Sequence, residues 1–138
     1  MIGRLNSVVF EARDPYALAR FYSELLGYPI TRVDGDPPDC WVDISEPAGR
    51  RLSFQFAPDH EPPVWPDSAS PMQIHLDIEV DDIDAAEAAV LSMGASRLPW
   101  DSDREVEQGL RDPGPSGFRV YADPSGHPFC LVWENLVV

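Results

Sequence analysis

Among the side chains able to do chemistry, His75 and Cys130 stand out by their context. His75 lies in the run Met72–Val80, where Met72, Ile74, Leu76, Ile78 and Val80 alternate with Gln73, His75, Asp77 and Glu79. Alternation with a period of two marks a strand with two unlike faces, so His75 and Asp77 share the polar one. Cys130 lies in the last apolar run, His127–Trp133. An imidazole and a thiol are the residue types of a nucleophile–base pair, because a thiolate beside an imidazole is activated. They are also zinc-ligand types. Each has a plain structural reading as well: Cys130 as a small buried hydrophobe, His75 as a hydrogen-bonded pocket or core histidine. His60 and His127 fall in a loop and a turn, outside this pattern. Cys40 and Cys130 have no Cys-x-x-Cys spacing and do not indicate a disulfide framework. The sequence carries no phosphate-binding glycine loop, no G-x-G-x-x-G and no G-x-S-x-G elbow.

The aromatic residues are the stronger sign of a binding pocket. Trp41, Trp65 and Tyr121, with Trp100 and Trp133, fall on strands or on a proline-rich crossover. Aromatic walls with a few polar groups are the usual make-up of a small-molecule site, although each residue serves equally well in a core. Arg119 and Tyr121 alternate with Phe118 and Val120 and so share one face. If that face is the inner one, Arg119 is placed to receive a carboxylate or phosphate.

The elements that must position these residues form a repeat. After the Met72–Val80 strand, Asp81 or Asp82 supplies an N-cap; Ile83, Ala86, Val90 and Met93 make one helical stripe; Gly94 suits the left-handed stop. The chain begins the same way. A strand over Arg4–Ala12 leads to Asp14 as cap, Pro15 at the first helical position, the stripe Leu18, Phe21, Tyr22 and Leu25, and Gly27 as stop. Asp14 and Gly27 recur as Asp81 and Gly94 at one offset of 67 residues. Each helix is followed by three strands: Pro29–Val33, Cys40–Ile44 and Arg51–Ala57 in the first half, and Ser96–Trp100, Phe118–Ala122 and His127–Trp133 in the second. Asp101–Gly117 reads as a charged loop, Asp123-Pro124-Ser125-Gly126 as a hairpin turn, and Glu134–Val138 as a tail. The expected organisation is a single domain over 1–138, with halves at 4–57 and 72–134 joined by a linker at 58–71. Within the linker Trp65 either docks to pin the crossover or lids a pocket.

With 138 residues and a 43% hydrophobic content, the chain can bury one core or two small half-cores. Its formal net charge of −14 argues against nucleic-acid binding, which needs a basic face, and against acidic membrane surfaces. The opening MIGRLNSVV lacks the apolar run of a signal peptide, and no stretch is long enough for a membrane helix. A soluble, cytoplasmic protein is the expectation. Sheet edges left by the halves favour a homodimer.

The repeated βαβββ plan, Phe21-Tyr22-x-x-Leu25-Leu26-Gly27, His75-Leu76-Asp77-Ile78-x-Val80-Asp81-Asp82 and Asp123-Pro124-x-Gly126-x-x-x-x-Leu131 resemble the vicinal oxygen chelate superfamily. This superfamily includes glyoxalase I, the bleomycin and fosfomycin resistance proteins and the extradiol dioxygenases. Within it the chain is similar to the small glyoxalase-like and bleomycin-resistance-like proteins, and the resemblance spans Arg4 to Trp133. It implies an α+β fold, in which two βαβββ repeats make a curled mixed sheet cup with helices outside (the glyoxalase/bleomycin resistance/dihydroxybiphenyl dioxygenase fold). Gln73, His75 and Asp77 would then line the cup.

The resemblance also implies four positions for a divalent metal, and these fall on Ser7, Gln55, His75 and Cys130. Only Gln55 and His75 are of the usual ligand types. A serine hydroxyl and a thiol replace the others, so no tightly bound metal is expected; if one binds, Gln55, His75 and Cys130 would hold Zn, Ni or Fe. The function implied is binding of a small organic molecule in an aromatic-lined cup, with Ser7, Trp41, Gln55, Trp65, His75, Arg119, Tyr121 and Cys130 as contact residues. The alternatives are a metal-dependent lyase, isomerase or dioxygenase with an atypical ligand set, and a dimeric interaction module without a ligand.

Overall fold

The computed structural model describes residues 1–67 and 69–134; Ser68 of the expected linker and residues 135–138 of the expected tail lie outside the described residues. Two compact units are present, Met1–Glu61 and a second beginning at Pro62. Each holds one four-stranded mixed sheet.

The first unit runs β1 (Val8–Ala12), α1 (Pro15–Leu26), β2 (Ile30–Asp36), β3 (Asp39–Ser45) and β4 (Arg51–Phe56), with sheet order β1-β4-β3-β2. The β1–β4 pair is parallel and the others antiparallel. Asp14 caps α1 by accepting a bond from the Ala17 amide at 3.0 Å, and Gly27 ends the helix at φ 70°, the left-handed conformation that suits glycine. The helix buries Leu18, Ala19, Phe21 and Tyr22. Phe10, Tyr22 and Phe54 stack at centroid separations of 5.2 to 5.8 Å to form the centre of this core.

The second unit repeats the plan: β5 (Leu76–Glu79), α2 (Ile83–Ser92), β6 (Ser96–Asp101), α3 (Ser102–Glu107), β7 (Gly117–Ala122) and β8 (Pro128–Trp133), with sheet order β5-β8-β7-β6. The β5–β8 pair is again parallel. Asp82, not Asp81, caps α2, through the Ala85 amide at 3.0 Å. The caps are therefore 68 residues apart while the stopping glycines keep the offset of 67. Val90, Tyr121, Phe129 and Leu131 are buried under α2 or at the sheet centre. None of the described helices is long and apolar enough to cross a membrane.

Two elements depart from the pattern in the sequence. The alternating run was expected to be a strand from Met72, yet β5 begins at Leu76. Gln73 has φ 61°, and the Ile74 amide bonds the Met72 carbonyl at 2.7 Å, which closes a three-residue γ-turn. This kink turns Ile74 outward, to 73% exposure, so it does not join the helix-facing core as its alternation predicts. Within Asp101–Gly117, read as loop, the helix α3 forms. It is only six residues long and has no apolar stripe, so periodicity cannot reveal it. Local hydrogen bonds hold it. Asp101 accepts from the Arg104 amide at 2.9 Å, and the buried Ser102 hydroxyl accepts from the Phe118 amide at 3.1 Å.

Candidate functional site

The register of β5 against β8 places Asp77 beside Cys130. Because side chains alternate, His75 and Asp77 project to the same side of the sheet as Cys130, Val132, Val120 and Phe118. There they meet in one cluster. His75 Nε2 lies 3.1 Å from Asp77 Oδ1. Cys130 hydrogen-bonds the same carboxylate. One donor atom from each of the three residues lies within 4.8 Å of the other two. Cys130 is buried, whereas His75 and Asp77 are exposed to the space above the sheet.

That space is a cavity of about 610 Å³. Its walls include Trp65, Trp100, Trp133, Phe118 and Met72. Met72 reaches it by way of the kink at Gln73. The Trp100 indole N–H donates to Glu105 at 3.3 Å, which anchors that wall to α3. Arg111 reaches the cavity from the loop after α3, over the Phe118 ring and 3.8 Å from Glu105. The Trp65 indole nitrogen is buried and has no hydrogen-bond partner among the described residues. All the lining residues belong to the second unit.

The protonation state of Cys130 follows from its surroundings. Burial, followed by the charge of Asp77 and its hydrogen bond, pushes the Cys130 thiol up to about 12. At neutral pH it is a thiol. The activated pair of Cys130 and His75 considered from the sequence is therefore interrupted by a carboxylate that opposes thiolate formation.

Arg119 and Tyr121 occupy the opposite face of β7, against α2. Expected as ligand contacts, they do not line the cavity described here. Arg119 donates to Glu87 at 2.9 Å and to Asp84 at 3.1 Å, and the Tyr121 hydroxyl donates to Glu87 at 2.9 Å. Arg97 also pairs with Glu87 and with Asp101. Burial disfavours the charged Glu87 carboxylate, but the bonds from Tyr121 and Arg97 and the charges of Arg97 and Arg119 outweigh it and hold its pKa below the ordinary value. The alternation of Arg119 and Tyr121 with Phe118 and Val120 fixed the face that Arg119 and Tyr121 share, and α2 decided which face it was.

Burial, then the hydrogen bond and charge of Glu87, push the Tyr121 hydroxyl up to about 12 from an ordinary value of 10.0. A folded-state pKa raised in this way contributes stability that is fully present below pH 10.0 and is lost as pH rises toward 12. The expected loss over that window is on the order of 1–2 kcal/mol, with allowance for water access. Denaturation midpoints measured across alkaline pH check it. Tyr121→Phe is expected to flatten the part of the decline that tracks tyrosinate formation.

In the first unit, the remaining expected residues lie in a separate polar network. The Ser7 hydroxyl bonds Ser53, and Ser53 donates to the buried Asp43 at 2.6 Å. The Trp41 indole donates to the same carboxylate oxygen at 2.7 Å. Gln55 Nε2 donates to Glu11 at 3.1 Å, in the β1–β4 register that mirrors Asp77 beside Cys130. Ser7, Trp41 and Gln55 are thus brought together on the first sheet, while Trp65, His75 and Cys130 are brought together on the second.

Residues 7–132 match the glyoxalase-like domain family. The chain belongs to this family. The glyoxalase-like chain is similar in fold to a glyoxalase family protein from Enterococcus faecalis, at 21% identity over 95% of this chain and 98% of that one, with a TM-score of 0.63. A glyoxylase/bleomycin resistance protein/dioxygenase domain from Frankia sp. EAN1pec is similar at 15% identity over 100% and 96% of the two chains, TM-score 0.65. A variant of the fosfomycin resistance protein FosX from Listeria monocytogenes, complexed with Mn(II) and 1S,2S-dihydroxypropylphosphonic acid, is similar at 15% identity over 99% and 96%, TM-score 0.63. At these identities the likeness is one of fold. No curated protein matches in sequence.

The four positions expected for a divalent metal, Ser7, Gln55, His75 and Cys130, do not make a good hard-cation set in this chain. Ser7 offers a neutral hydroxyl already bonded to Ser53, Gln55 offers a neutral amide bonded to Glu11, and neither position supplies a carboxylate. Mn(II) favours carboxylate, carbonyl and water oxygens. Asp77, outside the four expected positions, supplies the carboxylate beside His75 and Cys130. Its signal was available, since it is two residues from His75 on the same strand face.

Proposed function

We propose that this glyoxalase-like chain binds a small organic molecule in the cavity of its second unit. The observation that carries this reading is the 610 Å³ cavity, whose walls combine three tryptophans with Phe118 and Met72 above a polar cluster of His75, Asp77 and Cys130. Its size falls in the range that encloses drug-sized ligands, and its make-up of apolar walls with few convergent polar groups suits them. The charge of the lining narrows the class. Asp77, Glu105 and Glu134 contribute carboxylates, against the guanidinium of Arg111. A neutral or cationic ring system is therefore favoured over an anion, and indole faces add cation–π attraction for a positive group. His75 and Asp77 orient the ligand's polar end, while Trp100 and Trp133 hold its apolar body.

Titration of intrinsic tryptophan fluorescence with a panel of cationic, neutral and anionic aromatic compounds tests this. Saturable quenching by cationic or neutral members is expected, with anions weaker. Trp100→Ala is expected to weaken the best compound by about tenfold or more, equivalent to at least ~1.4 kcal/mol. Unchanged affinity in Trp100→Ala, or an order of preference led by anions, would count against this cavity as the site.

A further inference from the structure

We propose that Trp65 is the hydrogen-bond donor that selects the cavity's ligand, so that the favoured compound is a neutral or cationic aromatic carrying an acceptor oxygen. The inference rests on the organic-ligand reading above and narrows it. Trp65 lines the 610 Å³ cavity. Its side chain is half-buried, yet its indole nitrogen is shut from water and has no hydrogen-bond partner among the described residues. Buried donors are nearly always paired, because an unmade bond leaves the desolvation of the group uncompensated. Two other indoles follow that rule: Trp41 donates to Asp43 at 2.7 Å and Trp100 to Glu105 at 3.3 Å. The Trp65 N–H is thus a donor at the cavity wall for which the described residues supply no acceptor.

The chain around Trp65 lets the ring turn toward a bound molecule. Among the described residues its hydrogen bonds close within the segment: the Asp67 amide donates to the Val64 carbonyl at 2.7 Å, and the Val64 amide to the Ser70 hydroxyl at 3.3 Å. Val64 is 62% exposed, and Pro66 and Asp67 are exposed as well. The base of the segment is held where Pro62 packs on Gly126, a position at which any side chain would strike the proline ring. A segment with few bonds to the rest of the fold moves at low cost. The apolar body of a ligand then takes over the packing of the docked ring, and its oxygen receives the N–H. The carboxylates of Asp77, Glu105 and Glu134 accept and cannot donate, so they favour a donor or cationic group on the ligand and leave its acceptor to Trp65.

The unpaired state also sets the size of the effect. A hydrogen bond made in exchange for one to water is worth roughly two- to tenfold in affinity. Here the donor has no water to give up, so the gain should reach the top of that range.

A cycle of two ligands and two proteins provides the test. The ligands are an N-methylquinolinium cation bearing an acetyl group and the same cation bearing an ethyl group in its place. The intact protein is expected to bind the acetyl compound about tenfold more tightly than the ethyl compound. In Trp65→Phe, which keeps a ring and removes the N–H, the ratio should fall to within about twofold of unity. Trp100→Phe should weaken both compounds alike, because its N–H is already given to Glu105. Proton NMR supplies a second readout. The Trp65 indole proton, identified by its loss in Trp65→Phe, should move downfield with the acetyl compound and not with the ethyl one. A ratio retained in Trp65→Phe, no preference in the intact protein, or equal shifts of the indole proton would each overturn the assignment while leaving the cavity as the site. Binding of neither compound would overturn the proposed function and this inference with it.

Discussion

Replacing Phe129 with alanine is expected to lower stability by about 3–5 kcal/mol. Phe129 is fully buried and stacks on Tyr121 with ring centroids 5.5 Å apart. It sits on β8, which is paired on both sides, with β5 and with β7. A truncation here removes a large apolar side chain and leaves a cavity that a strand held from both edges cannot collapse to fill. Set against a domain stability of roughly 5–15 kcal/mol, the loss takes a large share of what holds the fold. Urea denaturation followed by circular dichroism checks it, and a loss below about 1 kcal/mol would show that the β8 core relaxes far more than its packing implies. The effect should reach the site as well. Cys130 is the next residue on the same strand, and its alignment with Asp77 depends on β8 keeping its register.

Gly117→Val is expected to cost about 1–3 kcal/mol and to damage the cavity at the same time. Gly117 is buried at the start of β7, opposite Trp133 in the β7–β8 register. A Cβ added there would strike the Trp133 ring and stand 2.5 Å from the Ser102 hydroxyl. The absence of a side chain is thus what lets Trp133 lie across the strand as a cavity wall. Valine would ordinarily favour a strand, so a destabilising outcome isolates the steric effect. A lower denaturation midpoint together with weaker binding of the best compound from the fluorescence panel is expected. Improved stability would mean that Trp133 has another low-energy position available. Trp133 and Arg111 also line a neighbouring cavity of about 480 Å³, so a displaced ring has space on either side of its present place.

Much of the frame was legible without coordinates. The aspartate caps, the helical stripes and the stopping glycines are local signals, set within a few residues by backbone hydrogen bonding and by the glycine's freedom at positive φ. They gave the two βαβββ repeats. The offset read at the caps erred by one because Asp81 and Asp82 are chemically equivalent in sequence; only the bond from Asp82 to Ala85 separates them. Strand parity was equally legible. It grouped His75 with Asp77, and Arg119 with Tyr121, because side chains on a strand alternate whatever it packs against.

Parity could not say which face meets the helix. That choice depends on the partner layer, and Glu87 on α2 drew Arg119 and Tyr121 to its side by charge and hydrogen bonding. Nor could it show that Asp77 stands between His75 and Cys130, residues 55 positions apart in the chain, since that contact is made by the register of two parallel strands. The turn at Gln73 escaped for a third reason. A non-glycine residue at positive φ leaves no compositional trace, yet with this turn Met72 lines the cavity and β5 starts only at Leu76, just after His75. The sequence by itself thus determined the repeat, the caps and the pairing of residues on each strand face, all consequences of local geometry. The tertiary structure alone decided which faces enclose space, and so made a polar strand histidine and a distant buried thiol neighbours through one carboxylate.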